Sequence, residues 1–477
     1  MVSIDTLPDD VLLVIFDHHL YGVRQQVFPG QSEQRVERAW QSLVHVCHRW
    51  RSVVFESPRR LDLQLVCSGR TPARDKLDVW PTLPLIVEVI LSDSIRLGSV
   101  DNVFAALERT DRVCQINLSH VESLEMEIFL AAMQQPFPEL TYLYLRSNDE
   151  TVPIPDSFLG GFAPRLEYLK LAAIPFPCVS KLLLSTTHLT HLALYRIPHS
   201  GYFPPDAIAT VLPTLTSLDY LDLEFISTRS FPDRANRRPP PSTRPVLPTL
   251  THFRFKGVSK YLEDLVALID APQLNYLHIT FFNDILFDTP QLIQFIIRTP
   301  KLKALEKADI RLRKYAARVS FSSRTSPSRY VGDLMVEVLC KALYGQLSSL
   351  DRVCTSCLPP LSLLENLYFS DYKDSQAGWN DNIDNEPWLE LLRRFSAVKN
   401  LYLAEIFVSP VASALQGLVE GRTTEVLPTI LPRLRNILVQ GLESSGSVQE
   451  GIRQFVAARQ VAGHRIAVSR WERGRLY

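Results

Sequence analysis

Apolar and polar positions fall into two regimes along this chain. From Val113 onward a short unit recurs, L-x-x-L-x-L, with other apolar residues admitted at the leucine positions. It stands at Leu140-Leu143-Leu145, Leu166-Leu169-Leu171, Leu189-Leu192-Leu194, Leu218-Leu221-Leu223, Leu250-Phe253-Phe255 and Leu274-Leu277-Ile279. Later copies are Leu364-Leu367-Phe369, Val398-Leu401-Leu403 and Leu434-Ile437-Val439, and Val113-Ile116-Leu118 is a weaker first copy. Alternation with period two predicts a short strand at each copy, with one apolar face. Between copies, Asp206 to Leu212, Tyr261 to Ile269, Gln291 to Ile297, Trp388 to Phe395 and Val411 to Val419 carry apolar residues at helical spacing. Ahead of this array, Arg60 to Leu65 and Leu85 to Leu91 read as strands, and Val103, Phe104 and Leu107 as part of a helix.

Strand, turn and helix repeated many times resembles a leucine-rich repeat solenoid. One strand and one helix cannot bury their apolar faces alone, whereas stacked copies share a continuous core. The resemblance implies an α/β fold with a parallel sheet on the concave face. The repeats are irregular. Where such a repeat usually places Asn after the strand, Asn148 fits, but Ile174, Ile197, Ile226, Val258, Phe282 and Ile406 do not. These apolar residues are expected to plug the turn. Three polar segments, 229–245, 311–330 and 371–387, are expected as insertions outside the stacked coils, with a strand near Val319.

The second regime is the N-terminus. Pro8 suits a first helical position, Asp9 and Asp10 suit the first turn, and Val11 to Phe16 is apolar throughout. An all-round apolar helix needs a partner on more than one side. Val36, Trp40, Leu43, Cys47, Trp50 and Val54 then recur at spacings of three and four. L-P-x-x-x-L-x-x-I-F followed by V-C-x-x-W-R resembles the F-box, a three-helix module that docks on a Skp-type adaptor. The resemblance covers residues 1–58 and implies that Leu7, Pro8, Val11, Leu12, Ile15, Phe16, Val46, Cys47 and Trp50 meet the adaptor. The polar gap from Tyr21 to Gln34 is longer than that module usually has. Residues 59–477 form the repeat array.

Composition narrows the classes of function. Lys plus Arg equals Asp plus Glu, at 51 each, so no overall basic charge points to nucleic acid. The seven cysteines are odd in number and mostly scattered, as expected for reduced thiols in the cytoplasm or nucleus. No leader sequence and no membrane span are expected. Cys354-x-x-Cys357 lacks a second ligand pair, and His18-His19 stands alone, so no metal or cofactor is expected. No nucleophile, phosphate-loop or dinucleotide motif occurs, which argues against an enzyme.

The positions between the leucines point away from the core. One such row reads Tyr142, Tyr168, His191, Tyr220, His252 and Tyr276; Tyr144 and His278 stand in the next, and Asn366 with Tyr368 and Asn400 with Tyr402 follow. An aromatic row on a sheet face suits protein recognition, and it equally stabilises neighbouring strands. The F-box resemblance implies a substrate receptor of a Skp–cullin–F-box ubiquitin ligase, holding the adaptor at one end and a target protein on the array. Two alternatives keep the same fold: a repeat scaffold that recruits no ligase, and a receptor whose target joins after a small ligand.

Overall fold

Three helices form at the N-terminus: α1 (Asp9–Gln25), α2 (Ser32–Val44) and α3 (His48–Glu56). The structure is a computed structural model. It describes residues 4–25, 32–69, 73–89, 97–149, 152–176, 179–227, 244–282, 289–303, 305–323, 333–340, 342–370, 385–420, 430–440 and 446–471. Pro8 sits just ahead of α1, and its carbonyl accepts from the amides of Val11 and Leu12. α1 buries Leu12, Leu13, Phe16 and Leu20 on one face, and the Phe16 ring meets Trp50 of α3 at 4.7 Å between centroids. Arg49 ties α3 back to the start of α1 through the Leu7 carbonyl and the Asp9 carboxylate. The polar gap is shorter than the sequence suggested. Tyr21 to Gln25 completes α1 and Ser32 opens α2, so both ends of the polar stretch continue helices.

The chain divides into two units, Met1–Phe203 with Thr214–Leu218, and Pro204–Pro213 with Asp219–Tyr477. The N-terminal helices share the first unit with six strands. These are β1 (Leu65–Ser68), β2 (Leu85–Val89), β3 (Val113–Val121), β4 (Tyr142–Ser147), β5 (Tyr168–Ala172) and β6 (His191–Ile197). Each pairs in parallel with the next. The reason no break falls near residue 58 is physical. The Trp40 indole donates to the Gln64 carbonyl and packs edge-on against Trp80, while Glu37 accepts from the Val66 amide and pairs with Lys76 at 2.5 Å. Arg24 reaches the Leu61 carbonyl. The strand expected from Arg60 starts only at Leu65. Leu61 and Leu63 are both buried through a turn, with Asp62 at φ 47°, rather than through a pleat.

The second unit contains β7 (Tyr220–Phe225), β8 (His252–Gly257), β9 (Tyr276–Phe281), β10 (Lys307–Arg313), β11 (Ala316–Ser322), β12 (Leu334–Leu339), β13 (Asn366–Phe369), β14 (Asn400–Leu403), β15 (Asn436–Val439) and β16 (Ala467–Arg470). Its sheet runs in the spatial order β7-β8-β9-β12-β11-β10-β13-β14-β15-β16. The pairings are parallel except where β11 runs antiparallel to both β12 and β10. This corrects the expectation for 311–330. Arg311 to Arg313 and Ala316 to Ser322 lie in the sheet, joined by a tight turn, and 324–330 lies outside the described residues. The charges that made the segment look like a loop are paired: Arg311 with Asp309 along β10, and Arg318 with Glu337 across β11 and β12. Of the other two expected insertions, only Arg244 and Pro245, and 385–387, are described; Glu386 and Pro387 open a helix, Glu386–Arg393.

The leucine pattern makes the core in both units. Leu143, Leu169 and Leu192 are fully buried in one register row, and so are Leu221, Phe253 and Leu277 in another. Helices cover this face, among them Leu97–Leu107, Ser123–Ala132, Ser259–Val266, Pro290–Arg298, Leu343–Ser356 and Glu405–Glu420. The turn positions Ile174, Ile197, Val258 and Phe282 are buried as plugs, and Ile226 and Ile406 are half-buried. One carboxylate joins neighbouring repeats. Glu263 accepts from the amides of Gln291 and Leu292, capping the first turn of Pro290–Arg298. The architecture is a leucine-rich-repeat-like stack of strand–helix coils.

Candidate binding surfaces

Two kinds of surface stand out. The first is on α1. Val11, Val14 and Ile15 recur at helical spacing and are 42%, 58% and 41% exposed, with Ile4 before them. Val46, in the turn between α2 and α3, is 59% exposed. Of the residues implied by the F-box resemblance, Pro8, Val11, Ile15 and Val46 are exposed, and Leu7, Cys47 and Trp50 are half-buried. Leu12 and Phe16 are corrected: both are fully buried and form the core of the helical module rather than a contact surface. Cys47 has a local role as the N-cap of α3, where its sulfur accepts from the Trp50 amide at 3.5 Å. Val14 and Ile4 were missed because the family pattern leaves those positions open. The all-apolar run from Val11 to Phe16 was the signal for Val14.

The second is the strand face opposite the helices. In the first unit, register places Tyr142, Tyr168 and His191 side by side, with ring centroids 4.5 Å and 4.2 Å apart and planes 12° off parallel in both pairs. One step along, the Lys170 ammonium lies 4.6 Å from the centre of the Tyr144 ring and 5.0 Å from that of Tyr195. In the second unit, Tyr220, His252 and Tyr276 form a looser row, at 6.1 Å and 5.7 Å. His252 is exposed and its neighbours are half-buried. Burial raises the Tyr276 phenol above its ordinary range.

Next to this looser row lies a set of paired charges. Asp222 accepts from the Tyr220 hydroxyl and faces Arg254 at 3.4 Å. Glu337 accepts two bonds from Arg318 and lies 3.9 Å from His278. Burial alone would raise the Glu337 carboxyl. Its bonds to His278 and Arg318 outweigh burial and hold it down at about 2. Lys256 pairs with Glu224 on the same face. Toward β16 the face changes again. Asn400 donates to Asn366 at 2.9 Å, Asn436 donates to Asn400 at 2.7 Å, and Tyr368 stacks on Tyr402 at 4.1 Å with Trp471 edge-on to both. Arg318, Glu337, Asn436 and Trp471 escaped the sequence reading. Alternation in Lys307 to Ser322 was the available signal for Arg318.

Four of the described cysteines are held protonated. Burial pushes the Cys357 thiol up to about 12 and those of Cys67 and Cys114 to about 11, and it raises Cys354 further. Thiols held protonated are poor nucleophiles and poor metal ligands. Among the described residues no group of three or more His, Cys, Asp or Glu side chains is arranged to hold a metal, and no helix is long and apolar enough to cross a membrane.

No protein-family model matches the chain. No curated protein matches it. Among solved structures it is similar to the leucine-rich repeat-containing protein LegL7 from Legionella pneumophila, at 11% identity and a TM-score of 0.28, covering 82% of this chain and 97% of that one. The repeat architecture of the present chain rests on its own strand register and buried leucine rows, not on that likeness.

Proposed function

We propose that this chain is a non-catalytic receptor that bridges two proteins, the substrate-recognition subunit of a Skp–cullin–F-box-type ubiquitin ligase. In this reading the N-terminal helices dock on a Skp-type adaptor, and through it on a cullin, in the cytoplasm or nucleus. The strand faces hold the target. The ligase then works by proximity: a target lysine is kept at high effective concentration beside the ubiquitin carrier, and this chain supplies no reacting group. The observation that carries the reading is the stripe of Val11, Val14 and Ile15 left in solvent on a helix whose other face is fully packed. Apolar side chains grouped on one helix face of a folded module mark an interaction site.

Co-purification with the adaptor tests it. The double variant Val11→Asp/Ile15→Asp changes only exposed positions, so the fold is expected to hold while adaptor capture is lost. Capture that survives in this variant overturns the docking assignment. Adaptor capture by the unaltered chain, without ubiquitin transfer in a reconstituted ligase, leaves a binding scaffold.

A further inference from the structure

On the strand face of the second unit, the outward positions of β10 and β13 to β16 form two parallel rows. The first reads Lys307, Asn366, Asn400, Asn436 and Ala467. The second, two residues further along each strand, reads Asp309, Tyr368, Tyr402, Leu438 and Ser469. Ala467 and Ser469 are exposed and the others are half-buried. The amides of the first row are bonded in one direction: Asn436 donates to Asn400, and Asn400 donates to Asn366. The amide nitrogen left over is that of Asn366, and beside it in register stands Lys307, with Ser322 on the other side. Neither that nitrogen nor the Lys307 ammonium has an acceptor among the described residues. The carboxylates nearby are engaged elsewhere. Asp309 accepts both bonds from Arg311, Glu365 pairs with Lys399, and Asp333 accepts from the Ser323 amide.

We infer that this face binds the C-terminal end of a partner chain, with the terminal carboxylate held between the Lys307 ammonium and the Asn366 Nδ2. This deepens the receptor reading above and rests on it for the role of target. Charge complementarity selects the occupant. Two donors side by side call for an acceptor, and the cation between Ser322 and Asn366 favours an anion. The bonded amides polarise one another, and the positive end of their row is the end beside Lys307. Asn400 keeps one N–H and one lone pair, the complement of a peptide group. From Asn366 to Asn436 the row crosses two strand spacings, about 10 Å, which is the length of about three extended residues. A row that matches main-chain groups and meets a cation at one end suits a chain that stops there, because the end is where a main chain carries negative charge. Alongside, Tyr368 stacks on Tyr402 with Trp471 edge-on to both, which gives the last side chains an apolar surface.

The test is an array of peptides coupled through their N-termini, varied in their last three residues and made both as free acids and as C-terminal amides. The full chain is the probe, and fluorescence anisotropy measures the peptides it retains. Free acids with apolar or aromatic last residues are expected to bind, and their amides at least about tenfold more weakly. Rising salt is expected to weaken the acids. Lys307→Met is expected to lose the preference for the acid with no change in melting temperature, since Lys307 makes no hydrogen bond or ion pair among the described residues; Lys307→Arg is expected to keep it. Equal binding of acid and amide overturns the inference, as does an unchanged preference in Lys307→Met or no binding anywhere on the array. So does full binding by an amidated peptide with glutamate near its end, which would give the site to a side-chain carboxylate. The experiment reads only this strand face, so its failure leaves adaptor capture standing. Loss of adaptor capture with intact peptide binding removes the ligase reading alone.

Discussion

At the scale of single residues, the most heavily determined group is the Glu337 carboxylate. Its folded value of about 2 lies below its ordinary 4.5, so it is ionised and bonded in the native state at neutral pH. A depressed carboxylate stabilises the fold above its unfolded value, and that contribution fades as pH falls from about 4.5 toward 2. Glu337→Gln is therefore expected to be clearly less stable than the unaltered protein at pH 7, with the gap narrowing steadily below pH ~4.5; urea unfolding at several pH values measures it. A constant gap across that range would show that the ion pairs contribute nothing. Glu263 works differently. It accepts from two backbone amides at a helix start, and burial raises its carboxyl. Glu263→Ala leaves both amides without that acceptor in a buried setting, and a loss of about 1–3 kcal/mol in chemical denaturation is expected. Neither role was legible in the sequence, because each depends on residues that meet only after folding. Glu337 meets Arg318 across an antiparallel pair. Glu263 meets a helix in the next repeat.

Among elements, the strands were the most legible. Every L-x-x-L-x-L copy from Leu140 onward marks a strand, and the aromatic positions between the leucines align in register within each unit. Periodicity carried that information because a parallel sheet repeats the same burial pattern at each strand. It misled where charges occupied the outward positions of β10 and β11, since a charged strand looks like a solvated loop until its partners are known. The asparagine ladder shows the same point from the other side. Asparagine is absent from most turn positions yet forms a bonded row across β13, β14 and β15. Asn400 sits in the middle, donating to one neighbour and accepting from the other, so Asn400→Ala is expected to cost more than Asn436→Ala at the end, by about 1 kcal/mol in thermal or chemical unfolding. Gly201 is a close-approach position. A Cβ there would lie 2.7 Å from the Pro175 Cα, which is backbone and cannot step aside. Gly201→Ala is expected to destabilise by about 1–3 kcal/mol.

At the scale of the molecule, the sequence suggested a helical module joined rigidly to a repeat array, and the first unit holds the helices together with the first strands of that array. Trp40, Glu37 and Arg24 bind the helices to the residues around β1. A chain beginning at Arg60 loses the indole packed on Trp80 and the carboxylate that receives the Val66 amide. It is expected to melt well below the full chain and to aggregate, as read by calorimetry and size-exclusion chromatography. A soluble truncated chain with an unchanged melting temperature would show that residue 58 is a true boundary. The same joint matters for the receptor reading. In that proposal, helices fixed to β1 would hold an adaptor at a set orientation to the strand face of the first unit, as proximity chemistry requires. The exposed stripe on α1 was legible as an apolar run. Which of its members face solvent was not, because Leu12 and Val11 are adjacent in sequence and opposite in burial.

The reversal at β10 to β12 bears on how such an array can change its length. Between parallel neighbours, loss or duplication of one coil leaves two like edges to rejoin. Residues 305–339 have no such freedom. β12 must lie against β9, and β10 must present its edge to β13, so removing β10 or β12 alone sets β11 against a strand of the opposite direction, and removing β11 alone takes away the strand that turns the chain back between them. Genetic slippage can trim or extend the array elsewhere a coil at a time, whereas this stretch is inherited whole or lost whole.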